Sequence, residues 1–314
     1  MTKYRKLLPQ LSNETFLTDG GLETTLIFQE GYELPHFAAF DLLKNSTGKK
    51  TLKKYYRQYL DIAKKNKLGF ILESATWRAS ADWGKKLGYS LEGLTKMNQL
   101  AIQLLSAIRT EYGEDHGSIV ISGCVGPRGD GYNPAEIMTI EEAEKYHTPQ
   151  VSAFSDSETD MICATTMTNI QEAIGICQAA TNCGLQIAIS FTVETDGNLP
   201  TGQSIRDAII SLDEATNNTP AYYMINCAHP SHFDHVLDAN EPWVKRIHGL
   251  RANASNKSHA ELDEAEELDD GNPDELGRQY QQLKSILSNL NVLGGCCGTD
   301  HRHIEKICTA CSHR

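Results

Sequence analysis

Val292-Leu293-Gly294-Gly295-Cys296-Cys297-Gly298-Thr299 begins as an apolar run and ends in two adjacent cysteines flanked by glycines. A short apolar run that stops at small or polar residues reads as a strand buried on both faces of a parallel sheet. Seven runs of the same kind precede it: Phe16 to Asp19, Gly69 to Thr76, Ser118 to Gly123, Asp160 to Thr166, Gln186 to Thr192, Tyr222 to Cys227 and Arg246 to Arg251. With Asn291 to Cys296 they make eight. Between them lie segments with a 3.6-residue apolar period, for example Ile170, Ile174 and Cys177, or Tyr280, Leu283, Leu287 and Leu290. Strand and helix alternating eight times predict an α/β chain folded as a (β/α)8 TIM barrel. A doubly wound open sheet is the competing arrangement, because periodicity does not show closure. No Pro/Gly/Ser linker and no internal repeat divides the chain, so residues 1–314 are expected to form one domain.

The 314 residues are 40% hydrophobic and 22% charged, enough for a large core and unlike a disordered chain. Acidic side chains outnumber basic ones 41 to 29, and a formal charge of −12 leaves no footprint for nucleic acid or an anionic membrane. No apolar run approaches the roughly 18 to 20 residues of a membrane span, and Met1 to Thr15 lacks an apolar signal core. A soluble cytoplasmic protein is expected. Nine cysteines, an odd number scattered along the chain, then read as reduced thiols, buried or metal-bound, and the Asn-x-Ser/Thr matches at Asn13, Asn45, Asn253 and Asn256 have no consequence. Nine of the fifteen residues from Glu261 to Glu275 are acidic, which reads as a solvated helix and turn; a lid or cation-attracting rim is the second reading. Nothing diagnoses self-association, and a homo-oligomer is compatible with the sequence.

In a barrel of this kind reactive groups gather at the C-terminal ends of the strands. The sixth run, Tyr222-Tyr223-Met224-Ile225-Asn226-Cys227-Ala228-His229, ends in a cysteine, and the eighth ends in Cys296 and Cys297. Adjacent residues of a regular strand point to opposite faces, but the surrounding glycines let the backbone turn both sulfurs toward one point. Three thiolates select zinc and leave a fourth position for substrate, the pattern of a catalytic metal site. A single cysteine at a strand end is more often a small buried hydrophobe. Cys124, Cys163, Cys177 and Cys183 read as core in that sense, and Cys308 and Cys311 as a face of the last helix beside His301, His303 and His313, with a second metal or redox site as the alternative. There is no Gly-x-Gly-x-x-Gly after the first strand, no Gly-Lys-Ser/Thr loop and no Gly-x-Ser-x-Gly elbow, so dinucleotide, P-loop and serine-hydrolase chemistry lack their parts.

Nearly the whole chain resembles the homocysteine S-methyltransferases, the family of the betaine-dependent enzymes and of the homocysteine module of cobalamin-dependent methionine synthase. The resemblance is carried by Asp19-Gly20-Gly21-Leu22-Glu23-Thr24, Gly126-Pro127-Arg128-Gly129, Asn226-Cys227 and Gly294-Gly295-Cys296-Cys297-Gly298-Thr299. It implies a (β/α)8 barrel with Zn2+ held by Cys227, Cys296 and Cys297, and methyl transfer from a cationic small-molecule donor to a thiol acceptor, homocysteine, to form methionine. It also implies an amino-acid pocket lined by Asp19, Gly20 and Gly21 and by the turn from Gly126 to Gly129. The family usually carries a Glu-Thr pair after strand four, whose glutamate binds the substrate amine; here the matching residues are Thr165-Thr166. Glu73 is the candidate replacement, its alternative being a carboxylate paired with Arg78 or Arg128. Trp77, Tyr132 and Glu194 are candidates for the donor on strand-end position alone. Asp130 reads as a turn former, and His229 as a loop histidine or an orienter of the metal ligands. The reading from another class is a non-catalytic zinc or redox-sensing barrel that has lost amino-acid binding. A metal-dependent hydrolase is weaker, because such sites favour His and Asp ligands.

Overall fold

The computed structural model describes residues 2–12, 14–113, 117–134 and 136–312; Asn13 and His313 lie outside them. Eight parallel strands close into a barrel in chain order. They are β1 (Phe16–Leu17), β2 (Gly69–Glu73), β3 (Ile119–Val125), β4 (Met161–Met167), β5 (Gln186–Phe191), β6 (Tyr222–Asn226), β7 (Ile247–Ala252) and β8 (Val292–Gly295). Closure is made by β1, which pairs with β2 on one side and β8 on the other, so the open sheet is excluded. Almost every strand residue is buried, as expected of strands covered by side chains inside and helices outside. Leu8, Phe16, Val120, Met161, Tyr222 and Val292 fill the lower interior.

Period-two alternation carries this packing upward into chemistry. Ile71 and Cys163 point into the barrel core, so Glu73 and Thr165, two residues on, face the same interior near its C-terminal mouth. Cys124, Asn226 and Arg251 complete that upper layer. Outside, the helix Ser46–Asn66 buries Leu52, Tyr55, Tyr56, Tyr59, Leu60 and Ala63 at three- and four-residue spacing. Asn45 caps its start by accepting from the Gly48 amide, and Lys67 ends it in a left-handed conformation.

Two connections differ from the expected alternation. Between β6 and β7 there is no α-helix, only 3₁₀ turns at Pro230–His232, Asp234–Val236 and Pro242–Arg246. Prolines open two of these turns, and the segment is too short and too often interrupted for an apolar stripe. The acidic stretch is likewise not one helix: it leaves the short helix His259–Asp263 and enters the helix Pro273–Ile286. The last helix, His301–Ser312, buries Cys308 and Cys311.

Candidate functional site

Cys227 follows β6 and Cys296 and Cys297 follow β8, and their three sulfurs lie within 4.8 Å of one another. Cys227 and Cys296 are joined as a disulfide, whereas the sequence led us to expect all nine thiols reduced. The physical reason is proximity: closure of the barrel brings the ends of β6 and β8 together, with the two Cα atoms 5.3 Å apart, within the span of a disulfide.

Two non-glycine residues at the site hold left-handed backbone conformations. Thr166 has φ 61° and Cys227 φ 54°, the left-handed region that costs a β-branched residue of the order of 1–3 kcal/mol. Asn226 fixes the first: its Oδ1 accepts from the Thr166 amide at 2.9 Å and from Ser190 at 2.6 Å, and its Nδ2 donates to Thr166 Oγ1 at 2.8 Å. The Cys227 carbonyl accepts from Asn253 at 3.0 Å and from His259 Nε2 at 2.7 Å, which fixes the second. Gly298, at φ 78°, closes the turn that aims Cys297 back toward the other two sulfurs.

The sulfurs open into a cavity of about 180 Å³ at the C-terminal mouth of the barrel. That volume suits a small molecule and is below the roughly 300–1,000 Å³ of larger ligand sites. Arg251 crosses its floor, donating to Asp19 at 2.7 Å and to Glu73 on the other side. Tyr55 also donates to Asp19, at 3.1 Å, tying the outer helix Ser46–Asn66 to the site. Burial pushes both carboxyls up and Arg251 pulls them back; burial disfavours the Arg251 charge, but the two acids more than restore it. Arg78 is stacked between Trp77 and Trp83, donates to the Gly129 carbonyl at 2.8 Å and stands 3.5 Å from Asp130; burial pushes it down to about 10. Glu23 also lines the cavity, and burial pushes its carboxyl up to about 7.

Tyr132 places its hydroxyl 3.5 Å from Cys297 Sγ and stacks on His259 at 3.9 Å between centroids. His259 in turn meets Glu194 at 3.0 Å. This wall orients the two thiol-bearing loops toward each other.

The profile of the family described as homocysteine S-methyltransferase matches residues 16–311. The chain belongs to that family. No curated protein sequence matches it. Among solved structures, the homocysteine methyltransferase MmuM from Escherichia coli is similar in three forms. The oxidized form superposes with a TM-score of 0.73 at 18% identity, covering 95% of this chain and 96% of that one. The metallated form gives 0.71 at 18% identity over 94% and 96%. The apo form gives 0.66 at 17% identity over 95% and 96%. At these identities the likeness speaks for the fold.

Of the residues singled out in this family member's sequence, Asp19, Gly20, Gly21, Glu73 and Thr165 line the same cavity as the three cysteines. Gly126 does not; it lies against Trp77, where a side chain would collide with the Trp77 carbonyl and ring. Glu73 is paired with Arg251, while Arg128 turns away to Asp82 at 2.7 Å. Trp77 and Tyr132 reach the cavity; Glu194 stands behind it on His259. Asp130 accepts from the Tyr132 and Asn133 amides as a turn former, and His229 accepts from the Ser231 amide as a loop histidine. Cys124, read as core, also lines the cavity, 3.2 Å from Thr165 Oγ1. Sequence reasoning missed Arg251, Glu23 and His259. Arg251, a cation ending an apolar strand, was the visible signal; His259 offered none.

Proposed function

We propose that the protein is a zinc-dependent S-methyltransferase that moves a methyl group from a cationic small-molecule donor to the thiol of homocysteine, forming methionine, or to that of a close relative. The observation that carries this reading is the convergence of Cys227, Cys296 and Cys297 on one cavity at the C-terminal mouth. The donor set fits zinc: thiolates are soft ligands, and zinc–sulfur bonds of about 2.3 Å place tetrahedral sulfurs roughly 3.8 Å apart. When bound, zinc supplies the Lewis acidity that keeps an acceptor sulfur deprotonated at neutral pH, where a free thiol of pKa about 8.5 is only a few per cent thiolate.

The chain's own residues do the rest. Gly20 and Gly21 pack their turn closely against Thr299 and Cys296 and line the acceptor's pocket with backbone, and Asp19, Glu73 and Thr165 give its polar end a fixed boundary. Trp77 and Tyr132 offer aromatic faces to a sulfonium or quaternary ammonium donor. The narrow cavity aligns the sulfur with the methyl carbon and its leaving group and excludes water. Three free thiolates call for a reducing compartment such as the cytoplasm.

The joined Cys227 and Cys296 favour a second reading, a non-catalytic zinc or redox-sensing barrel. Zinc K-edge absorption on reduced, metal-quantified protein, with and without homocysteine, separates the two. An enzyme's zinc passes from three to four sulfur neighbours when homocysteine is added; a sensor's does not. Cys296→Ser and Cys297→Ser should each lose zinc and transfer activity while the barrel stays folded, and unchanged zinc content in either would sink the ligand assignment.

A further inference from the structure

Five acids and two arginines line the cavity, so it holds an excess of negative charge before any thiolate is counted. Most of that charge is accounted for. Asp19 and Glu73 share Arg251, Asp130 stands beside Arg78 and stabilises its own turn, and Asp263 is exposed at the rim. Glu23 is different. It projects from the turn after β1 between two buried neighbours, Leu22 and Thr24, and is itself largely withdrawn from water. Among the described residues no arginine, lysine or histidine reaches ion-pair distance of its carboxylate, and no other side chain donates to it. Thr165 across the cavity brings no charge.

A carboxylate in that position lowers stability, because burying a charge without a partner is unfavourable. Residues that break the packing rules without local compensation mark sites where a ligand completes the arrangement. We infer that Glu23 is the cation-binding residue of this cavity, taking the positively charged nitrogen or sulfur of a small ligand seated beside the three cysteines. The ligand's identity as acceptor or donor rests on the thiol-transfer reading; the cation requirement does not. Arg251 cannot serve a cation and keeps Glu73 from doing so, while Trp77 and Tyr132 supply aromatic faces that an ammonium or onium group also favours.

Calorimetric titrations of the reduced, zinc-loaded protein test this with three probes: homocysteine, 4-mercaptobutanoate, which is the same thiol acid without the amine, and trimethylsulfonium. If the cation is the acceptor's, homocysteine binds at least tenfold tighter than 4-mercaptobutanoate, and Glu23→Gln reduces that preference to within about twofold with zinc content unchanged. If it is the donor's, Glu23→Gln weakens trimethylsulfonium about tenfold and leaves both thiols alone. Glu23→Asp, which keeps the charge, should retain part of either effect and guards against misfolding of the Gln variant. Unaltered affinity for all three probes in Glu23→Gln overturns the assignment. Should neither thiol add a sulfur to zinc in the wild type, the thiol-transfer reading falls, and the trimethylsulfonium titration still decides the role of Glu23.

Discussion

Arg251 donates to Asp19 and to Glu73 at once, so its removal leaves two buried carboxylates facing each other with no cation between them. Breaking a buried ion pair from one side typically costs about 3–5 kcal/mol, because the remaining charge is uncompensated. Arg251→Met, which keeps the bulk, should therefore lower the unfolding free energy of reduced, metal-free protein by about 3 kcal/mol or more in urea at pH 7. A loss below about 1 kcal/mol would mean that the acids do not depend on Arg251. Glu23 gives the opposite sign. Its folded-state carboxyl keeps its proton up to about pH 7, whereas in the unfolded chain it ionises near its ordinary 4.5. Between those values the native state binds more protons, so stability falls as pH rises, and the penalty is complete above pH 7. Glu23→Gln should be near neutral in thermal melts at pH 5 and stabilising by about 1–3 kcal/mol at pH 8. An equal effect at both pH values would show that Glu23 titrates normally.

At the scale of elements, the site is a junction between the turn after β1 and the turn after β8. Gly21 touches the second turn so closely that an added Cβ would lie 2.5 Å from the Cys296 carbonyl oxygen and 2.5 Å from Thr24 Oγ1. Thr24 Oγ1 also accepts from the Gly298 amide at 3.1 Å, so the two turns are locked together at the peptide that follows Cys297. Gly21→Ala cannot be absorbed by a flexible side chain, because the Cys296 contact is with backbone. It should push the Cys296-Cys297 turn outward and weaken zinc binding about 10- to 100-fold, the range seen when groups that orient metal ligands are lost. Competition with a chromophoric chelator would measure this. Wild-type affinity in the variant would mean that the turn can move without disturbing the sulfurs.

For the molecule as a whole, the eight strands were legible because a strand buried on both faces is apolar almost throughout, a pattern that survives without knowledge of its partners. The 3₁₀ connection from β6 to β7 was not, since it has no 3.6-residue period to read. The cysteines stood out through the glycines around them, but the pairing of Arg251 with Asp19 and Glu73 depends on strands one, two and seven meeting around a closed barrel, which spacing along the chain does not encode. Closure would also couple a metal held by the three cysteines to global stability. Cys227 and the Cys296-Cys297 pair lie 69 residues apart on strand ends that converge only in the folded barrel, so zinc bound to all three would stabilise the native state alone. Free zinc at about a thousand times its dissociation constant should add roughly 4 kcal/mol, a rise in Tm of roughly 6 °C for a chain of this length. The rise should vanish after mild oxidation that joins Cys227 to Cys296, since two of the three ligands are then consumed, and should return with reductant. Melts of metal-free protein titrated with zinc in both redox states measure it directly. An equal shift in reduced and oxidised protein would place the zinc elsewhere, away from the cavity where Glu23 and the three cysteines meet.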